Sequence, residues 1–146
     1  MRVAGHGYSI QVPAGWEARI RKRGAGPVLH VATFPLHASD GDFGAAATDR
    51  MATGDSFAAL VEYVDPEKVK PGVGLFAPKR PPVPKLREFA PMQLQVTRPG
   101  QLGWQRFFTE QDRTCCLYAV IKPGRERPQR LVARLAAVLE TLRLSA

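Results

Sequence analysis

Cys115-Cys116-Leu117-Tyr118-Ala119-Val120-Ile121, the turn Pro123-Gly124, and then Pro128-Gln129-Arg130-Leu131-Val132-Ala133-Arg134-Leu135-Ala136-Ala137-Val138-Leu139 decide the reading of the fold. In the first segment both alternating sets of side chains are apolar, so a strand there needs cover on two faces. In the second, Leu131, Leu135, Val138 and Leu142 recur at i, i+4, i+7 and i+11 with Val132 and Leu139 alongside, and Pro128 suits a first helical turn. This spacing predicts an amphipathic helix over 127–142 lying on a sheet. Neighbouring residues of a strand point to opposite faces, so Cys115 and Cys116 are expected as two buried thiols, not a disulfide.

Upstream, most segments carry strand patterning. Tyr8 to Val12 alternates apolar and polar, Pro13-Ala14-Gly15 supplies turn chemistry, and Trp16 to Arg21 alternates again, which predicts a β-hairpin with Trp16, Ala18 and Ile20 facing the core. Gly24-Ala25-Gly26-Pro27 breaks the chain, and Val28 to Phe34 reads as a buried strand ended by Pro35. Residues 44–51 suit a short helix. Ser56 to Val64 reads as a central strand with Phe57, Ala59, Val61 and Tyr63 on one face. Residues 65–91 contain Pro66, Pro71, Pro78, Pro81, Pro82, Pro84 and Pro91, too many for a long helix or an inner strand, and are expected as a surface loop. Strands are predicted at Met92–Thr97, Gly103–Thr109 and Arg113–Ile121.

These elements predict an α+β protein, one domain over 1–146, built as a single antiparallel β-sheet of about six or seven strands packed against a C-terminal helix. The double apolarity of 56–64 and 115–121 requires cover on the face opposite the helix. The short helix near 44–51, the Pro-rich loop or a second subunit would supply it, so a homodimer is among the expectations.

Tyr8-Ser9-Ile10-Gln11-Val12-Pro13-Ala14-Gly15-Trp16 resembles the strand, Pro-x-Gly-Trp, strand opening of Mog1/PsbP-like domains, and the run from Cys116 through the last helix to Leu139-Glu140-Thr141-Leu142-Arg143-Leu144 resembles their ending. The resemblance implies an antiparallel sheet flanked by helices and a role in binding partners. It carries no catalytic residue over.

The net charge is +8 with a pI near 10.1, from 15 Arg and 6 Lys against 13 acidic residues. The chain contains no Asn and is rich in Ala, Gly and Pro, a bias of GC-rich coding that supplies arginine regardless of partner. The charge is also interrupted: segments 1–23, 24–66, 67–100 and 101–146 carry +4, −5, +5 and +4, so no continuous basic track runs along the chain. Met1 to Val12 holds no apolar run of signal-peptide length, no window approaches a membrane span, and the two cysteines are adjacent. A cytoplasmic, reducing location is the expectation.

Gly72-Val73-Gly74-Leu75-Phe76-Ala77 has the spelling of a dinucleotide fingerprint, but Pro71 before it and Pro78, Pro81 and Pro82 after it leave no helix to meet a pyrophosphate. His6, His30 and His37 lack cysteine or carboxylate neighbours at metal-ligand spacing, and His30 is expected as a half-buried, hydrogen-bonded side chain. No Gly-x-Ser-x-Gly elbow is present, and Asp40-Gly41-Asp42 lacks the further ligands of a calcium loop. Trp104, Arg106 and Phe108 share a strand face, as core under a helix or as a stacking platform for bases.

Two sets of candidate binding residues follow. Pro78 to Lys85 offers polyproline II character with basic flanks, which makes Lys79, Arg80, Pro81, Pro82 and Lys85 candidates for partner binding. Arg19, Arg21 and Arg23 on a strand, with Arg127, Arg130 and Arg134 down one helix flank, are candidates for nucleic acid. The leading expectation is a non-enzymatic binding or adaptor domain that recognises a protein or small ligand and uses no cofactor. The alternative is a nucleic-acid-associated basic protein.

Overall fold

The computed structural model describes residues 1–23, 26–65, 67 and 69–146, the side chain of Arg23 excepted. Gly24 and Ala25 of the expected turn and Pro66 of the Pro-rich segment lie outside the described residues. The architecture is α+β with antiparallel sheets, but two sheets replace the single one expected. Strands β1 (Arg2–Gly5), β2 (Tyr8–Gln11) and β8 (Arg143–Leu144) form one, in the order β1-β2-β8. Strands β3 (Glu17–Arg23), β4 (Gly26–Ala32), β5 (Ser56–Tyr63), β6 (Leu102–Glu110) and β7 (Arg113–Ile121) form the other, in the order β3-β4-β5-β7-β6.

The split corrects the first predicted hairpin. Tyr8–Gln11 pairs with Arg2–Gly5 through the turn His6-Gly7, both at positive φ, and not with the strand that follows it. Pro13-Ala14-Gly15 is the corner where the chain leaves one sheet and enters the other, held by the Trp16 N–H to the Pro13 carbonyl at 3.2 Å. Turn chemistry looks the same in both roles; which strands pair is decided by the burial each can gain.

Helix α2 (Pro128–Leu139) ends three residues before the predicted 142, because the chain must extend for Arg143 and Leu144 to pair with Ser9 and Tyr8. Arg143 closes the helix by donating to the carbonyls of Glu140 and Leu142. Leu131, Val132, Leu135, Val138 and Leu139 are buried against one face of the larger sheet, with Leu29, Val31, Leu60, Trp104, Phe108, Cys115 and Leu117. Burial of this stripe stabilises the fold, since apolar surface removed from water contributes roughly 25 cal/mol per Å².

The opposite face buries Val28, Ala32, Phe57, Ala59, Val61, Tyr118 and Val120 under Leu36, Phe34, Phe43, Met51 and Ala47 of the 34–51 segment, which holds the short helix α1 (Ala45–Asp49). The chain thus supplies the cover that had made a second subunit one of the options. Cys115 and Cys116 are free and buried, and Cys115 packs in the core on the α2 side.

The described 69–91 segment is a loop carrying tight turns at Gly74–Phe76 and Leu86–Glu88, and it shields the free edge of β6. Thr109 N–H donates to the Pro78 carbonyl at 2.7 Å, Gly103 and Ala90 exchange both backbone hydrogen bonds, and Gln105 N–H donates to Gln93 Oε1 at 3.0 Å. An uncovered edge strand invites pairing with other chains, and these contacts block it. The strand predicted at Met92–Thr97 is absent: Pro91–Gln93 is a 3-10 turn, and the only pairing nearby is the single Ala90–Gly103 bridge.

Candidate functional site

On a helix, residues three and four apart share a flank. Arg127, Arg130, Arg134, Ala137 and Thr141 therefore form one stripe along α2, about a third of a turn round from the buried stripe, and the first four are exposed. Facing its C-terminal half is the connector from Gln11 to Trp16. Thr141 ties the two together: its Oγ1 accepts the Gln11 N–H at 2.9 Å and donates to the Val138 carbonyl at 2.6 Å.

Between them runs an open groove of about 500 Å³. Val12 and Val138, both buried, form its floor; Pro13, Ala14 and Trp16 make one wall, and Arg134, Ala137 and Thr141 the other. Trp16 packs one part of its ring on the core and leaves the rest at the groove. Among the described residues lining it, Arg134 carries the only charged side chain. Arg127 and Arg130 line a further depression with Gln129, at the helix start. From the sequence, Trp16 is expected in the core and Arg134 is a candidate for nucleic acid. The signal that joins them is the sheet-to-sheet corner at Pro13-Ala14-Gly15, which reads locally as a plain turn.

The two arginine clusters do not meet. Arg19 is opposite His30 and Arg21 opposite Val28, and Val28 belongs to the core on the side away from α2. Arg127, Arg130 and Arg134 lie on the α2 side, so the sheet separates the sets; the side chain of Arg23 lies outside the described residues. Of the loop candidates, Lys79, Arg80 and Lys85 are exposed, Pro81 and Pro82 half-buried, and the neighbouring Pro84 is buried. The segment is tied to β6 at its start, where the Pro78 carbonyl accepts the Thr109 N–H.

Trp104 and Phe108 are fully buried, so the stacking platform does not exist as a surface. The Trp104 indole N–H donates to Glu88 Oε1 at 3.1 Å, and the Arg106 guanidinium lies 5.4 Å from the Trp104 ring and 3.2 Å from Glu88 Oε2. Burial works against the Glu88 carboxylate, but the Trp104 and Arg106 donors outweigh it and hold its pKa below the ordinary range. His30 is buried and its Nε2 lies 2.8 Å from the Asp42 carbonyl; burial depresses its pKa. Asp40, also buried, accepts from Arg50 at 2.6 Å and from the His37 N–H at 2.8 Å, and these bonds overcome desolvation to lower its pKa.

A second polar cluster sits at the junction of the sheets. Tyr8 donates to Glu62 Oε1 at 2.7 Å, Arg113 donates to the same oxygen at 2.8 Å, and the Arg113 guanidinium lies 5.2 Å from the Tyr8 ring. Arg113 Nε also donates to the Ser145 carbonyl. Burial drives the Tyr8 hydroxyl and the Cys115 thiol strongly upward, so neither ionises near neutrality. Every polar group named in the cluster is engaged within the fold, the signature of a structural tie.

Among the described residues no group of three or more His, Cys, Asp or Glu side chains sits close enough to hold a metal, and no helix is long and apolar enough to cross a membrane. Compared with known proteins, the chain matches no family model, no curated protein and no solved structure.

Proposed function

We propose that this chain is a non-enzymatic binding module that holds a segment of another protein in the groove between α2 and the Gln11–Trp16 connector. The observation that carries the reading is the groove itself: a concave, mostly apolar channel of about 500 Å³ with a half-exposed tryptophan in its wall. Ligand sites are usually concavities of this size with few polar groups, and tryptophan is the residue most enriched among energetic anchors of interfaces. Recognition is assigned here rather than to 78–85, whose start is tied to β6 through the Pro78 carbonyl. The Mog1/PsbP-like kinship belongs to the same proposal, since the Pro13-Ala14-Gly15-Trp16 corner that suggests it builds one wall of the groove.

The test is selection of a random displayed-peptide library on the intact protein, followed by counter-screening on Ala137→Phe. Ala137 is exposed, so the larger ring fills the groove without entering the core. Enriched peptides that lose binding to the variant support the reading. Failure to enrich any peptide, or equal binding to the variant, overturns it.

A further inference from the structure

Resting on that groove reading, we infer that its occupant is an acidic peptide segment: one bulky apolar side chain seated against Trp16, with carboxylates following along the Arg134, Arg130, Arg127 stripe. The apolar part follows from the lining, in which Val12, Pro13, Ala14, Trp16, Ala137 and Val138 outnumber the polar groups. The acidic part follows from charge. Arg134 stands in the groove wall, and Arg130 and Arg127 continue from it toward the start of α2 on the same flank. Seven residues of helix cover about 10.5 Å. Three residues of extended peptide cover about 10 Å. Carboxylates within three positions of the anchor therefore reach successive guanidinium groups.

Arg130, in the middle of this line, pairs with Glu126 at 3.9 Å, while among the described residues neither Arg127 nor Arg134 makes an ion pair. Like charges three and four residues apart on a helix repel each other. The first turn of α2 contains no acidic residue and Arg127 at its N-cap makes no side-chain cap, so the positive end of the helix dipole adds to the same field. The flank therefore carries an excess of positive charge, and an anionic segment relieves the repulsion along it.

A nucleic acid or an anionic membrane would also answer to arginines, but both call for a broad basic face. Arg19 and Arg21 lie on the far side of the sheet, and on the α2 side the Arg134 guanidinium stands in the wall of an apolar channel. That combination suits a peptide.

The peptide selection above separates this inference from the one it rests on, since an enriched consensus without acidic positions leaves the groove reading standing and overturns this one. The consensus peptide, dye-labelled, is then compared by fluorescence anisotropy with its counterpart carrying glutamine at each acidic position. The acidic form is expected to bind at least ten-fold tighter at low salt, with the difference shrinking in 0.5 M NaCl. The double variant Arg130→Glu, Arg134→Glu is expected to abolish that preference. Both side chains are exposed, so folding is retained, as an unchanged thermal transition checks. Equal affinity of the two peptides, or a preference that survives the charge reversal, overturns the inference. So does binding of phosphatidylserine vesicles or a 20-nucleotide single strand that the acidic peptide fails to displace.

Discussion

Arg113 on β7 and Glu62 on β5 meet at 2.8 Å with both side chains largely buried, and the same carboxylate oxygen accepts the Tyr8 hydroxyl from the smaller sheet. One oxygen thus joins the two sheets. Removing Arg113 leaves Glu62 as an unpaired, mostly buried carboxylate and strips the cation from the Tyr8 ring. We expect Arg113→Ala to cost about 3 kcal/mol and Tyr8→Phe, which removes one hydrogen bond and keeps the ring, about 1 kcal/mol. Urea unfolding of the three proteins gives both values, and similar losses for the two variants would contradict the tie.

Gly103 is where the 89–94 segment crosses β6. A Cβ there would lie 2.8 Å from the Leu94 nitrogen and 2.9 Å from the Gln93 carbonyl carbon, both backbone atoms that cannot swing aside. Gly103→Ala should therefore push that segment off the strand edge. The expected result is new proteolytic cleavage within 78–94 and a raised tendency to self-associate through β6, read by limited trypsin digestion and light scattering.

The buried His30 predicts how stability depends on pH. Its folded pKa lies below the ordinary 6.5, so the unfolded chain takes up the proton first. The stability is complete above pH 6.5 and falls as the pH drops from there toward the depressed folded value. Asp40, whose folded pKa is below the ordinary 3.8, adds a second loss as the pH falls through that lower value. Urea midpoints measured from pH 8 to pH 3 should decline in two stages, and His30→Gln should lack the first.

Burial pushes the Cys116 thiol up to about 12 and Cys115 further, and both are fully inaccessible. A thiolate is needed for attack on a disulfide reagent. Neither cysteine should react with such a reagent in the native protein at pH 8, while both should react within minutes in 6 M urea. Fast labelling of the native protein would show that the sheet opens.

Loss of the Asp40–Arg50 contact should be more costly than its partial exposure suggests. The side chain of Arg50 is 33% exposed but that of Asp40 is 1% exposed, so Arg50→Ala strands a charge inside the fold. A destabilisation of about 3 kcal/mol is expected, with Arg50→Lys recovering part of it, as thermal melts can compare.

Local patterning alone determined the strands at 56–63 and 113–121, the start and apolar stripe of α2 and the lack of a helix after the Gly72–Ala77 segment. Each follows from a period of two or of 3.6 residues, or from proline, and these signals reside in neighbouring side chains. Only the tertiary structure decided that Tyr8–Gln11 pairs backward with Arg2–Gly5 and forward with Arg143–Leu144, and that the turn after it is a corner between two sheets. It also decided that the 89–97 segment folds over β6 and that the basic clusters lie on opposite faces. Pairing depends on which distant surfaces can be buried together. Ser9 and Arg143 are neighbours in the fold and 134 residues apart in the chain, so no local pattern records the contact. The groove at Trp16 and Arg134 arises the same way, because it exists only where α2 and the corner meet.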